Sequence, residues 1–221
     1  MGIRGLAVAL AVAVFILSAC GSSKRSAYSS VPEVYAALVS QLESQDKVLH
    51  ATATLTEPDS QDSSTYEYWI DEARDLARED ERIANVIPRN RGLFIVDGQE
   101  YSYVGNTEPQ HWDAPSCEGI SAPAVSLLLR CEGVAGTRSE LIDDGGTRLR
   151  VVTTGNYGPD IANKPWSITL TLDANSLLPV SMESDLWALL NGEPYESHET
   201  ATYTTELIER DSLPADLFDL K

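Results

Sequence analysis

The sequence predicts an α+β domain, with one amphipathic helix near the N-terminus and then an antiparallel sheet that is apolar on one face and polar on the other. Val31, Tyr35, Leu38 and Leu42 recur at helical spacing. Leu49, Ala51, Ala53 and Leu55 then alternate with His50, Thr52 and Thr54 at the two-residue period of a strand. Turn pairs such as Asp97-Gly98 separate the strand-like runs that follow.

Taken in order, Ser30-Val31-Pro32-Glu33 fits a capping box with proline in the first turn. Val34 and Val39 widen the apolar stripe, so a helix is expected over about 31–46. Thr65 to Asp71 is an aromatic-rich strand carrying Tyr66, Tyr68 and Trp69. The segment 71–86 is helical by local propensity. A hairpin turning near Glu72–Asp75 would instead keep the sheet continuous, and that is the expectation. Leu93 to Tyr103 reads as a hairpin in which Phe94 faces Tyr101, giving one face of Phe94, Val96, Tyr101 and Tyr103. Ser121 to Arg130, with Val125, Leu127, Leu128 and Leu129, is expected as a short second helix. A further hairpin turns at Asp143-Asp144-Gly145-Gly146, and Pro165–Asp173 carries Trp166, Ile168, Leu170 and Leu172. The longest pair covers about 178–190 and 195–208 around Asn191-Gly192-Glu193-Pro194. One face of that pair holds Val180, Met182, Leu186, Ala188, Leu190, Tyr195, Ala201, Tyr203 and Leu207. The other is mostly Ser, Glu, Asp, Thr and His198, interrupted by Trp187 and Leu189. Such alternation describes a sheet wet on one side only.

The first residues have a separate logic. A positive start at Arg4, a small or apolar run from Gly5 to Leu17 and small residues before a cut describe a secretory leader. The run is shorter than the ~20 apolar residues a membrane-spanning helix needs. Leu17-Ser18-Ala19-Cys20 resembles the lipobox of bacterial lipoproteins. That resemblance implies cleavage before Cys20, which then carries diacylglycerol and usually a further acyl chain, two or three chains where a single chain holds only marginally. An ordinary leader with a cysteine near its cut is the alternative. Gly2 does not start a myristoylation signal, since Leu6 stands where Ser or Thr is required. The expected organisation is a signal peptide (1–19), a lipidated cysteine and flexible tether (20–30) and a single domain (31–221). The tether is small and polar, and its ten residues after Cys20 reach at most about 35 Å.

Lipid on Cys20 would account for the odd cysteine and leave Cys117 and Cys131 as an even pair in an oxidising compartment. A disulfide between them closes a loop of ~15 residues, worth about 3 kcal/mol; two buried free thiols are the alternative. A metal site would need more ligands than two cysteines and His111 supply. With 34 acidic and 16 basic residues the chain carries a net charge of −18, and one unit more negative once Arg4 leaves with the leader. Such a surface repels nucleic acid and anionic headgroups alike. Lys24-Arg25, beside the lipidated cysteine, is the local exception.

The order of tether, helix and successive antiparallel strands looks like the LolA/LolB/LppX-type superfamily of envelope proteins. Its local cues are Tyr68-Trp69-Ile70-Asp71, the Val96-Asp97-Gly98-Gln99 hairpin, the strand–turn–strand from Leu172 to Pro179, and the closing Leu213-Pro214-Ala215-Asp216-Leu217-Phe218. The resemblance implies a curved antiparallel half-barrel packed over the N-terminal and second helices, with a cavity for acyl chains between sheet and helix. Leu38, Leu42, Phe94, Tyr101, Tyr103, Ile168, Leu170, Met182, Leu186 and Tyr203 are the residues that would line it. The same side chains equally describe a solid core.

Catalytic chemistry finds little support. His50, His111 and His198 show no metal-ligand spacing, and neither a nucleophile elbow nor a phosphate-binding loop is present. His198 falls opposite Asp185 on the polar face if the last hairpin has a two-residue loop, which reads as a surface cross-strand pair. The acidic turns Asp59–Asp62 and Asp143–Asp144 lack the calcium-loop pattern, and the alternating charges from Glu72 to Arg82 read as a solvated face. The expected protein is therefore a non-enzymatic, cofactor-free lipoprotein outside the cytoplasm, anchored to the cell membrane or outer membrane. It would bind lipid or acyl chains or, alternatively, engage an envelope protein through a sheet rim with its core filled.

Overall fold

The computed structural model describes residues 28–56, 63–83, 91–111, 137–143, 146–156, 165–190 and 193–220. Cys20, Cys117, Cys131, the helix expected over 121–130 and the Asp59–Asp62 turn lie outside them.

Helix α1 spans Val31–Ser44 and turns Val31, Val34, Tyr35, Leu38 and Leu42 inward, the stripe its sequence period prescribes. Its cap differs from the expected box. Ser30 makes no side-chain cap bond; the Glu33 carboxylate instead accepts the Ser29 backbone N–H at 2.7 Å and its hydroxyl at 2.9 Å. That backbone donor holds the Glu33 carboxyl below its usual range.

After α1 come strands β1 (Lys47–Thr56), β2 (Ser63–Asp71), β3 (Leu76–Ile83), β4 (Arg91–Val96), β5 (Gln99–Val104), β6 (Gln110–His111), β7 (Arg138–Asp143), β8 (Arg148–Asn156), β9 (Pro165–Asp173), β10 (Pro179–Leu190) and β11 (Glu193–Glu209). Among the described residues these form one antiparallel sheet in the order β6-β5-β4-β3-β2-β1-β11-β10-β9-β8-β7. Two meanders, β1 to β6 and β7 to β11, are thus joined where the first strand pairs the last, from Lys47 opposite Glu209 to Thr56 opposite Thr200.

The expected hairpin over 71–86 is present. A single 3-10 turn, Glu72–Arg74, leads through Asp75 in the left-handed region (φ 52°) directly into β3. Ladder pairing with β2 and β4 overrides the helical propensity of the segment. Asp97 (φ 52°) and Gly98 (φ 70°) form the tight β4–β5 turn, where two successive positive φ angles favour this residue pair.

Laid flat, eleven strands would be about 48 Å wide. Yet α1, about 21 Å long, touches β7 at one end and the Glu72–Arg74 turn at the other. Inner residues from Ile95 on β4 to Val151 on β8 join its hydrophobic cluster. The sheet achieves this by curling over the helix, giving the open α+β half-barrel.

A buried ion pair ties the base of this curl. Asp71, fully buried at the end of β2, receives Nε and Nη2 of Arg210 at 2.7 and 2.8 Å. Arg74 approaches the same carboxylate at 3.8 Å, and Arg210 also meets Asp46 in the α1–β1 turn. Burial pushes the Asp71 carboxyl up while Arg74 pulls it down; the two-pronged guanidinium of Arg210 is what makes a charged carboxylate tenable there. Replacing Asp71 by Asn leaves Arg210 buried beside a neutral amide. Asp46 still meets Arg210 in that variant, so we expect Asp71→Asn to lose about 1.5–3 kcal/mol, read as a lowered urea midpoint with an unchanged slope.

Candidate functional site

Strand parity divides the sequence-expected cavity residues into two groups. Leu38 and Leu42 on α1 are 1% and 0% exposed, and Ile168, Leu170, Met182 and Tyr203 face them from the sheet at 2–7%. Leu186 packs against the same cluster. The Tyr203 hydroxyl lies 3.8 Å from the Met182 sulfur. These seven side chains belong to the inner, concave side.

Phe94, Tyr101 and Tyr103 do share one face of the β4–β5 hairpin, Phe94 directly opposite Tyr101, but it is the outer face. Ile95, one residue away, is the one that joins the inner cluster, opposite Ala77. Apolarity alone favoured the aromatic side; the outer face accommodates it because the C-terminal segment and an arginine cover it. The Arg78 guanidinium sits 5.2 Å from the Phe94 ring and 5.6 Å from that of Trp69. It grips Asp80 with two bonds of 3.0 and 2.9 Å and donates Nη1 to the Leu217 carbonyl at 2.9 Å. Tyr103 donates its hydroxyl to Asp80 at 2.6 Å. A cavity under α1 therefore does not include these three aromatics.

Inward-facing polar groups were not anticipated. The Glu72–Arg82 charge run splits by parity: Arg78 and Asp80 face out, while Glu81 faces in and is 2% exposed. Tyr66 donates to Glu81 Oε1 at 2.6 Å, and Arg91 binds both of its carboxylate oxygens. Ser184 and Ser197, also on the inner side, donate to Glu199 at 3.3 and 3.5 Å. Ser139 and Thr153 share a hydrogen bond of 3.0 Å across β7 and β8. Burial raises the Glu100 carboxyl on the same side of β5. The signal available in the sequence was a two-residue period in 76–83, masked by the expectation that charges alternate on a solvated surface.

Tyr35 stands apart. Its hydroxyl is buried on the inner side of α1, the residue being 1% exposed, and among the described residues it has no hydrogen-bond partner. Burial raises its ionisation well above the ordinary phenol.

On the outer face His50 lies between Glu206 (2.9 Å) and Glu67 (3.0 Å) and stacks on Trp69 with centroids 5.3 Å apart. In the β10–β11 ladder Leu190 pairs with Glu193, the register that places His198 opposite Asp185, at 2.7 Å. Both sites are cross-strand pairs of a wet surface. Among the described residues no group of three or more His, Cys, Asp or Glu is arranged to hold a metal ion.

No protein-family model matches the sequence, and no curated protein matches it. Solved structures of similar shape include a LolA superfamily protein, NE2245 from Nitrosomonas europaea, at 11% identity over 86% of this chain and 98% of that one, with a TM-score of 0.38. MucB is similar at 17% identity over 86% of this chain and 62% of its own, TM-score 0.39. The Mycobacterium tuberculosis lipoprotein LppX is similar at 13% identity over 79% and 95%, TM-score 0.28. Identities this low speak only of fold.

The exposed histidine gives a sign that can be checked. The Asp185 hydrogen bond raises His198 above its ordinary value. Its contribution to stability is thus complete below the ordinary imidazole range and is lost as pH rises through the raised value. We expect an NMR titration of His198 to show a midpoint above ~6.5, and Asp185→Asn to bring it down.

Proposed function

We propose that this chain is a membrane-tethered, non-catalytic binding protein of the cell envelope, one that holds the apolar part of a lipid or acyl chain between α1 and the concave face for transfer or presentation. Tyr35 carries the reading. A buried hydroxyl left without a partner costs roughly 1–3 kcal/mol, and a ligand carbonyl or ester oxygen beside it would recover that cost. The surrounding inner side chains, from Leu38 and Leu42 to Met182, are apolar. Polar groups on Tyr66, Glu81, Arg91 and Glu199 lie on the same concave side, a division that suits a ligand with a tail and a head.

Attachment would come from lipid on Cys20, with Lys24 and Arg25 against headgroups. Among the described residues no helix is long and apolar enough to cross a membrane. The second reading, a protein-interaction lipoprotein with a filled core, is favoured by the closeness of the α1 packing, where Val34, Leu42, Leu49, Ile70 and Leu172 are all 0% exposed.

Tyr35→Phe separates the two. For a lipid binder, the variant keeps or raises the urea midpoint of the extracted protein, while lipid recovered by organic extraction and mass spectrometry falls several-fold per protein. No lipid in the extract of the unaltered protein would sink the lipid reading and leave the interaction reading standing. The Cys117–Cys131 bond remains part of the proposal. Peptide mapping without reductant should give one linked fragment containing both residues, and two freely alkylated thiols would refute it.

A further inference from the structure

The described chain begins at Tyr28–Ser30, where the tether would join the domain, and that junction borders a cleft of about 380 Å³. Its walls are Ser29, Ser30, Val31 and Pro32 at the start of α1, and Ser139, Glu140 and Leu141 on β7. Strand β7 is the last strand of the sheet, so on that side no further strand of the described sheet closes the cleft. The floor is continuous with the interior: Val31 is a member of the inner cluster and Leu141 packs against it. One turn further along the same face of α1 stands Tyr35, its buried hydroxyl without a partner among the described residues.

We propose that this cleft is the mouth through which a lipid of the anchoring bilayer passes into the concave interior. The occupant follows from chain length. Ser29 lies nine steps along the chain from Cys20, at most about 32 Å when fully extended. A domain lipidated at Cys20 therefore keeps the start of α1, and the cleft beside it, closer to the bilayer than any other part of the fold is obliged to be. The β4–β5 turn at Asp97, near the opposite end of the strand order, is under no such restraint. The chemistry of the walls suits a phospholipid in transit. Serine hydroxyls and Glu140 line the rim beside apolar Val31, Pro32 and Leu141, and among the described residues of the lining none is a cation that would trap a headgroup.

The proposal rests on the lipid-binding reading and on the Cys20 anchor, and the test keeps these apart. The full chain, lipidated at Cys20, is reconstituted in vesicles of phosphatidylcholine and phosphatidylglycerol, with p-benzoylphenylalanine placed at Ser139 or, as the comparison, at Asp97. After illumination, lipid adducts are counted by mass spectrometry, and the same preparations are extracted for bound lipid. We expect at least tenfold more phospholipid adducts at 139 than at 97. We also expect Leu141→Trp, which narrows the cleft, to slow both uptake and release of a pyrene-labelled phospholipid at least fivefold. Bound lipid with equal adducts at the two positions overturns the mouth alone, as does uptake unaffected by Leu141→Trp. An extract without lipid overturns the binding function and the mouth with it. Failure of the protein to float with the vesicles overturns the anchor on which the placement depends.

Discussion

One helix about four turns long decides which side of an eleven-stranded sheet becomes interior. The inward stripe of α1 must find apolar partners on β1, on β7 and on the strands between, and the two-residue alternation of each strand then fixes every other side chain's face. Leu49 inward on β1 sets Leu207 inward on β11 and Ile70 inward on β2; Ile70 sets Ala77, and Ala77 sets Ile95. A single parity choice at α1 is carried ladder by ladder to both ends of the sheet. It sends Phe94, Tyr101 and Tyr103 out and Glu81 in, regardless of what those side chains would prefer alone.

The inner surface is consequently of two kinds. Beneath α1 it is apolar and buried. Away from α1 it holds carboxylates and hydroxyls that a core would ordinarily refuse, several of them supported by a specific partner. Glu81 is tolerable because Arg91 neutralises it and Tyr66 adds a donor. In a chain whose net charge is −18, a carboxylate placed inside without such a pairing would shed its charge. Asp71 is held the same way by Arg210 at the base of the curl. A buried pair of this sort adds little against a well-packed apolar alternative, but breaking one side of it is costly. Both pairs therefore act as registers, fixing which parts of the chain meet.

Much of this was legible in the sequence. The stripe on α1 and the Asp97-Gly98 turn follow from period and turn chemistry, which are local; the Glu72–Asp75 turn followed from keeping the sheet continuous, against local propensity, and the pairing of His198 with Asp185 was legible only on condition of a two-residue loop. What was not legible depended on distant chain. The face taken by the β4–β5 hairpin is decided by a parity relay from α1 and by the cover that Arg78 and Leu217 provide on the outer side, more than a hundred residues apart in sequence. The inward position of Glu81 depends on Arg91 standing across β3 and β4, and hydropathy counts both as surface residues. The orphan hydroxyl of Tyr35 is invisible to any pattern, since a tyrosine on an apolar helix face reads simply as apolar.

The pairing of β1 with β11 has a consequence in time as well as in space. A chain delivered N-terminus first has β1 long before it has its partner, whose residues begin at Glu193. Through that interval β1 can pair β2 on one side but presents an unpaired edge on the other, the feature that recruits wrong partners. Contacts spanning some 150 residues form slowly in any case. The Thr52, Thr54 and Thr56 side chains on its outer face, together with Lys47 at its start, keep that waiting edge wettable. Closure of the half-barrel thus waits for β11, and so does the Asp71–Arg210 pair between its two meanders.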